Sequence, residues 1–438
     1  MGKLPMRARL ATTLGGAAGT MSRLAGRGDG SVIGGVIGLR LEPDLLALLS
    51  TGRQIVLVTG TNGKTTTTRL ITAALGSLGQ DVASNAFGAN MEAGLAAALG
   101  KAPDAPLAVL EVDERWLPAV IKATRPRVVT LLNLSRDQMD RAAEIWLVAR
   151  RWREALAGAK GCRVVANADD PLITWAASGA EDVIWVAAGQ RWHEDSWCCA
   201  ECGSHLLRDE LGWRCGECGF QRPSTRWVLD GDRVIDSAGR ISDLSLSLPG
   251  RANRSNAVVA LAVAEVFGVE TAQALPRLRE VASVAGRYTR LARRGRQVRL
   301  LLAKNPAGWL EAFDVLDPAP APVLLSVNAQ GPDGKDTSWL WDVDYRVLRG
   351  RRVFVSGERR LDLAVRLEAD LVPFDLVDGV DGAVDQVEGP RPGDGGTGPE
   401  AIGGFQGGRS PGPAGTSLDV IANYTAFQHI RVTLGRAE

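Results

Sequence analysis

Short apolar runs and longer amphipathic ones take turns along most of the chain. Residues 54–59 (QIVLVT) read as a buried strand, and 107–112, 127–133 and 163–166 repeat that reading. Between them, 64–78, 117–123 and 142–157 carry apolar positions at helical spacing. Short apolar strands alternating with helices predict an α/β fold, a parallel sheet with helices on both faces. The pattern breaks over 192–224, where CCAECGSH and WRCGECGF stand among few apolar residues, so this stretch reads as a small insertion. It resumes with a helix over 255–267.

From about residue 297 a second α/β unit follows, with strands at 298–303, 323–327 and 353–355 and a helix at 362–367. Residues 378–417 are dominated by Gly, Pro and Asp, with few large apolar side chains, and read mostly as a flexible loop. Residues 423–434 (NYTAFQHIRVTL) return to ordered structure. The expected division is an N-terminal segment 1–40, a central domain 41–285 that holds the insertion, and a second domain 286–438.

A length of 438 residues fits two to three such domains. The net charge of +1 gives no global field to hold nucleic acid, so no nucleic-acid partner is expected. The basic runs 290–299 and 346–360 read as solvated surface, the rival reading being contact with an anionic partner or a membrane surface. No apolar run reaches the roughly 18–20 residues that span a bilayer. The first residues, MGKLPMRARLATTLGGAAGTMSRLAGRG, are basic and rich in Ala and Gly, without the continuous apolar stretch of a secretory signal. A short amphipathic helix is expected there, and a cytoplasmic location. Six cysteines in so long a chain are not a disulfide framework and fit a reducing compartment.

The densest chemistry lies in VLVTGTNGKTTTTRL, residues 56–70. Gly63, Lys64 and Thr65 match the end of the phosphate-loop pattern G-x-x-x-x-G-K-[ST], but Val58 stands where its first glycine belongs. A strand ends at Thr59, Gly60 and Gly63 permit a tight turn, and a helix starts near Lys64. Backbone N–H groups from Gly60, Thr61, Asn62 and Gly63 to Thr66 can then cradle the phosphates of ATP. Lys64 would reach the β- and γ-phosphates and the Thr65 hydroxyl would ligate Mg²⁺. Carboxylates follow the strand 107–112 in EVDE, and either Glu111 or Glu114 is the expected Mg²⁺ ligand, the rival reading being acids that favour a helix N-terminus. Two more polar strand ends, NLSRDQMD at 133–140 and NADDP at 167–171, read equally as site or as turn and cap.

Cys199 and Cys202 form one C-x₂-C pair, Cys215 and Cys218 another, twelve residues apart. Two such knuckles place four thiolates around a structural Zn²⁺, with Gly203, Gly216 and Gly219 supplying the turns. Cys198 and His205 remain alternative ligands. Four occupied positions leave none open for catalysis. Cys162, beside a strand, is expected to be buried.

TGTNGKTT, EVDE, NLSRDQMDR, NADDP and PGRANRSN, in this order, resemble the motifs of the Mur ligase family. In that family the loop is G-T-N-G-K-T-T, which accommodates Val58. The resemblance implies a central P-loop domain followed by a smaller Rossmann-like α/β domain, with Asn256 near the adenine. It implies that ATP phosphorylates a carboxylate and that an amine attacks the acyl phosphate. Two features depart from most members. The loop is reached by residue 60, too soon for the UDP-binding N-terminal domain, and the second domain has no obvious site for a large amino acid.

A four-cysteine zinc ribbon inserted in such a core resembles the MurT family, the ligase-like subunits of lipid II isoglutaminyl synthase. Lys304-Asn-Pro-Ala-Gly308, Asp333-Gly-Lys-Asp-Thr-Ser-Trp-Leu-Trp-Asp342 and Asn423-Tyr-Thr-Ala-Phe427 extend the match. The resemblance implies amidation of the D-isoglutamate α-carboxylate of lipid II to D-isoglutamine. Ammonia release from glutamine needs a nucleophile, usually Cys with His. The three histidines, His193, His205 and His429, offer no convincing pair, so a heterodimer with a separate GatD-like glutaminase subunit is implied. The family is held to lend its partner an aspartate, which maps here to Asp336, with Asp342 as runner-up. A free-standing amino-acid ligase such as folylpolyglutamate synthase is the alternative, and it predicts no ribbon.

Overall fold

The computed structural model describes residues 4–24, 31–85, 89–136, 145–210, 212–282, 288–318, 320–387 and 417–435. They fall into two compact units, one ending at residue 282 and the other starting at 288.

The first unit opens with helices α1 (Met6–Leu24), α2 (Ser31–Leu41) and α3 (Leu45–Ser50). Then come β1 (Gln54–Thr59), α4 (Lys64–Leu75), β2 (Val82–Ser84), α5 (Glu92–Lys101) and β3 (Leu107–Glu111). After these follow α6 (Leu117–Thr124), β4 (Val128–Leu131), α7 (Ile145–Ala157), β5 (Arg163–Asn167), α8 (Pro171–Ala177) and β6 (Asp182–Ala187). The hairpin β7 (Leu206–Asp209) and β8 (Gly212–Cys215) stands apart as its own small sheet. The short strands β9 (Trp227–Asp230), β10 (Arg233–Ile235) and β11 (Ile241–Asp243), then α9 (Arg251–Val266) and α10 (Thr271–Arg279), complete the unit.

Among the described residues the main sheet runs β11-β10-β9-β6-β5-β4-β1-β3-β2. It is parallel from β2 to β9, and β10 and β11 add an antiparallel edge. The period of two in a strand sends Ile55 and Leu57 to one face and Val56 and Val58 to the other, and both faces are buried. β1 lies between β3 and β4, and the chain winds outward from it in both directions. Its C-terminal end is therefore the crevice where such sheets bind ligands.

The second unit contains β12 (Tyr288–Arg293), β13 (Arg296–Leu302), α11 (Pro306–Phe313), β14 (Val323–Ser326), β15 (Val353–Ser356), α12 (Arg360–Ala369) and β16 (Asp375–Leu376). α13 (Gly379–Gln386), β17 (Ser417–Ala422) and α14 (Tyr424–Gly435) follow. Its sheet runs β12-β13-β17-β14-β15-β16, antiparallel only between β12 and β13, with apolar clusters on both faces.

Three expectations need correction. α9 starts at Arg251, not at 255. Its polar first turn hides the start: Asn253 Nδ2 donates to Pro249 O at 2.6 Å and Ser255 Oγ to Ala188 O at 2.5 Å. Residues 379–386, expected to be loop, form α13. Val380, Ala383 and Val384 fall at i, i+3 and i+4 and are buried, which a Gly- and Asp-rich composition concealed. The N-terminal segment carries two helices rather than one short one. Residues 142–144 of the expected helix, 137–140 of NLSRDQMD and 388–416 of the expected loop lie outside the described residues.

Candidate functional site

The loop between β1 and α4 needs glycine at two positions. Gly60 has φ +140°, and a Cβ there would lie 2.9 Å from Asn133 N. Gly63 has φ +85°, and its Cβ would lie 2.6 Å from Asn256 Oδ1, which puts Asn256 of α9 against the loop. Val58 is still strand, paired with Glu111 of β3 and Thr130 of β4 and buried in the sheet core, so no turn calls for glycine there.

The first residues after β4 clamp this loop. Asn62 N donates to Asn133 Oδ1 at 2.9 Å, and Asn133 Nδ2 returns a bond to Asn62 O at 3.1 Å. Ser135 N donates to Thr61 Oγ1 at 3.0 Å, and that hydroxyl donates to Ser135 O at 3.1 Å. The start of NLSRDQMD therefore shapes the loop.

Lys64 is a buried cation among oxygens. Its Nζ donates to Gly60 O at 2.6 Å, Thr61 O at 3.3 Å and Glu114 Oε1 at 3.1 Å. The Thr65 hydroxyl donates to Glu111 Oε2 at 2.8 Å. Asn85 fixes the Glu111 backbone through two 2.8 Å bonds, and Asn90 Nδ2 reaches its Oε1 at 3.4 Å. Neither asparagine was anticipated; the only sequence signal is a pair of amides after a short edge strand. Glycine loop, Lys64, Thr65, Thr66, Glu111, Glu114 and Asn256 thus gather at the N-terminus of a 12-residue helix, where the backbone dipole favours anions. One hydroxyl and two carboxylates are hard oxygen donors of the kind Mg²⁺ takes.

NADDP resolves into structure. Asp170 caps α8, accepting from Leu172 N and Ile173 N, and also takes the Leu134 N–H at 2.9 Å. Burial pushes its carboxyl above the usual range despite these bonds. Asp169 accepts from Gly189 N at 2.6 Å and Arg222 Nε at 2.8 Å, which ties the cysteine-bearing segment to the main sheet. Trp213 Nε1 adds a bond to Ala168 O at 3.0 Å.

Cys199, Cys202, Cys215 and Cys218 place all four sulfurs within 4.8 Å of one another. Cys199 and Cys218 are 3.6 Å apart, Cys202 and Cys215 3.5 Å. Four sulfurs about 2.3 Å from one tetrahedral Zn²⁺ stand about 3.8 Å apart, so the cluster has the size of such a site. The two knuckles repeat one bond pattern: Gly203 N to Cys199 O, and Gly219 N to Cys215 O. The Ser204 hydroxyl and N–H, with the Cys215 thiol, hold the Cys202 thiol down at about 6, while burial pushes Cys199 up to about 12. Cys198 and His205 pair across a bridge and stand outside the cluster. Cys162 is buried, and burial raises its thiol to about 11.

Asp336 lies in the second unit, where its Oδ1 accepts from Ser338 N at 2.8 Å and starts the 3-10 turn Ser338–Asp342. Asp342, at the end of that turn, is exposed. Beside it Trp341 is exposed, with the Arg366 guanidinium 5.2 Å from its ring centroid. Asp333 accepts from Thr425 N at 3.0 Å, which anchors the segment to α14.

Residues 58–264 match the Mur ligase middle domain and 302–389 the MurT ligase C-terminal domain. The lipid II isoglutaminyl synthase (glutamine-hydrolyzing) subunit MurT of Streptococcus pneumoniae is 30% identical over 84% of this chain and 89% of its own length. The chain belongs to the MurT family. The Staphylococcus aureus MurT subunit is 29% identical over 81% of this chain and 86% of its own. A pseudomurein peptide ligase type C from Methanothermus fervidus shares the fold, with a TM-score of 0.63 over 87% of this chain and 78% of that one, at 17% identity. MurT family membership makes the chain an ATP-dependent ligase with a Mur ligase core. Among the described residues no helix is long and apolar enough to cross a membrane.

Proposed function

We propose that this chain is the synthetase subunit that amidates the α-carboxylate of D-isoglutamate in lipid II. The observation that carries the reading is the Lys64–Thr65–Glu111–Glu114 cluster at a helix N-terminus, in a chain similar to MurT subunits along most of its length. A carboxylate is a poor electrophile; transfer of the γ-phosphoryl of ATP gives it a good leaving group, and ammonia then displaces phosphate. Lys64 offsets charge on the transferring phosphoryl, and backbone N–H groups of 60–66 orient it. Thr65 with Glu111 or Glu114 would hold Mg²⁺, which would supply positive charge to offset that of the phosphates. Asn256 lies beside the adenine.

The four cysteines hold a structural Zn²⁺ in a ribbon spanning 192–224. The chain comprises an N-terminal segment 1–40, a central ATP-binding domain 41–285 and a Rossmann-like domain 286–438. Ammonia comes from a GatD-like glutaminase subunit, whose catalytic His is oriented by Asp336, or by Asp342 in its place. The complex works at the inner face of the plasma membrane, where lipid II resides.

The test combines this chain, a GatD-like subunit, ATP and lipid II. The expected product shows the mass change for hydroxyl replaced by amino, dependent on glutamine and ATP. No such change, or turnover of folate instead, rejects the reading.

A further inference from the structure

The N-terminal helix pair is built inside out. On α1 the buried positions are Ala8, Ala11, Gly15, Gly19 and Ser22. The large apolar residues point the other way: Met6, Leu10, Leu14, Met21 and Leu24 are 86, 57, 44, 70 and 84% exposed. At 100° per residue these five fall within an arc of about 80°. α2 repeats the inversion, with Gly34, Gly35 and Gly38 inside and Val32, Ile33 and Val36 exposed. The glycines cannot be replaced by apolar packing. A Cβ at Gly15 would lie 2.5 Å from Gly34 O, and one at Gly35 1.8 Å from Ala93 O. A helix facing water on one side carries the opposite pattern.

The charge around the stripe selects its partner. Residues 1–40 hold six basic residues and one acid, while the whole chain nets +1. Exposed Arg7 and Arg9 flank the stripe on either side, and Arg23 and Arg40 are exposed nearby. Arg7 is partly engaged, with Nε on Leu41 O at 2.7 Å and 3.7 Å from Glu42. Large apolar residues between cations are what an anionic bilayer surface takes up: the side chains enter the acyl boundary and the guanidinium groups meet headgroup phosphates.

We infer that α1 and α2 dock this chain on an anionic membrane surface, with Met6, Leu10, Leu14 and Met21 inserted and Arg9, Arg23 and Arg40 on the headgroups. The purpose, holding the ligase beside a lipid-linked substrate, rests on the lipid II reading; the surface itself does not.

Flotation of the full chain with its glutaminase subunit, on phosphatidylglycerol and on phosphatidylcholine vesicles, tests this. The expected result is binding to phosphatidylglycerol vesicles that added salt weakens. A Leu10→Glu/Leu14→Glu variant should bind at least about tenfold more weakly, and so should Arg9→Glu/Arg23→Glu, which leaves the stripe intact. Both should keep the wild-type melting temperature and full amidation of a water-soluble, short-chain lipid II analogue. Lack of wild-type flotation, equal binding to both vesicles, or unchanged binding by both variants overturns the inference. So does a change in oligomeric mass or loss of the glutaminase subunit in the Leu10→Glu/Leu14→Glu variant by light scattering, since a protein would then cover the stripe. Vesicle binding as expected without amidation of either substrate would instead reject the lipid II reading and leave the docking surface standing.

Discussion

Lys64 sits 3.1 Å from Glu114 with its side chain only 6% exposed, so its charge is held by protein oxygens before any phosphate arrives. Removing the ammonium while keeping most of the volume isolates its electrostatic part. Lys64→Met should lower ATP turnover by the complex roughly 10²–10³-fold in kcat, the usual scale for losing a group that meets developing charge. Steady-state phosphate release measures it, and activity within tenfold of wild type would remove Lys64 from the chemistry. This residue was legible because two of its three partners, Gly60 and Thr61, are neighbours in the chain and belong to the same loop motif. Asn85 was not, and Asn133, in a polar strand end that read equally as site or as turn, had no assigned partner. Their bonds to Glu111 and Asn62 span 26 and 71 residues, and only the parallel pairing of β2 with β3 and of β1 with β4 closes those distances.

Elements were legible where apolar spacing dominates and hidden where polar residues do structural work. The core strands β1, β3, β4 and β5 read clearly because both of their faces are buried. The short strands β9, β10 and β11, with three or four residues each and a charge at one end, gave no period to read. α13 was missed for a related reason, and an ion pair helps to fix it: Arg293 Nε and Nη2 grip Asp381 at 2.8 and 3.2 Å. That guanidinium holds the Asp381 carboxyl below the usual range. A depressed folded pKa stabilises at pH values above the unfolded pKa, and the gain is lost as pH falls through the folded one. Asp381→Asn should therefore cost up to about 1 kcal/mol at neutral pH, and the gap to wild type should narrow below about pH 4.5. Urea titrations at several pH values read this; a gap that stays constant into acid would exclude the ion pair as its source. The cysteine hairpin makes a separate prediction. The purified chain should carry about one Zn²⁺, and Cys215→Ser should lose the metal and lower the melting temperature. Metal analysis finding no zinc in wild type would leave the four sulfurs without their proposed role.

At the scale of the whole molecule the proposed chemistry is split. Phosphoryl transfer is assigned to the first unit, and the aspartate lent to the glutaminase to the second. This division predicts two distinguishable defects. Lys64→Met should lower amidation by the same roughly 10²–10³-fold whatever the nitrogen source, because acyl phosphate formation is the step it slows. Asp336→Asn should leave that step intact and reduce glutamine hydrolysis by the complex at least about 100-fold, because an amide cannot stabilise the partner's imidazolium. The loss should be bypassed by ammonium chloride at mildly alkaline pH, where free ammonia replaces the missing supply. Ser338 N lies 2.8 Å from Asp336 Oδ1, so loss of the turn is the competing explanation. Asparagine keeps that acceptor oxygen, and a complex that still assembles on a sizing column rules the turn out. The Asp342→Asn variant completes the set: if it, and not Asp336→Asn, shows the ammonia-rescued defect, the lent aspartate is Asp342. If neither variant loses glutaminase activity, neither Asp336 nor Asp342 is lent to the partner's histidine.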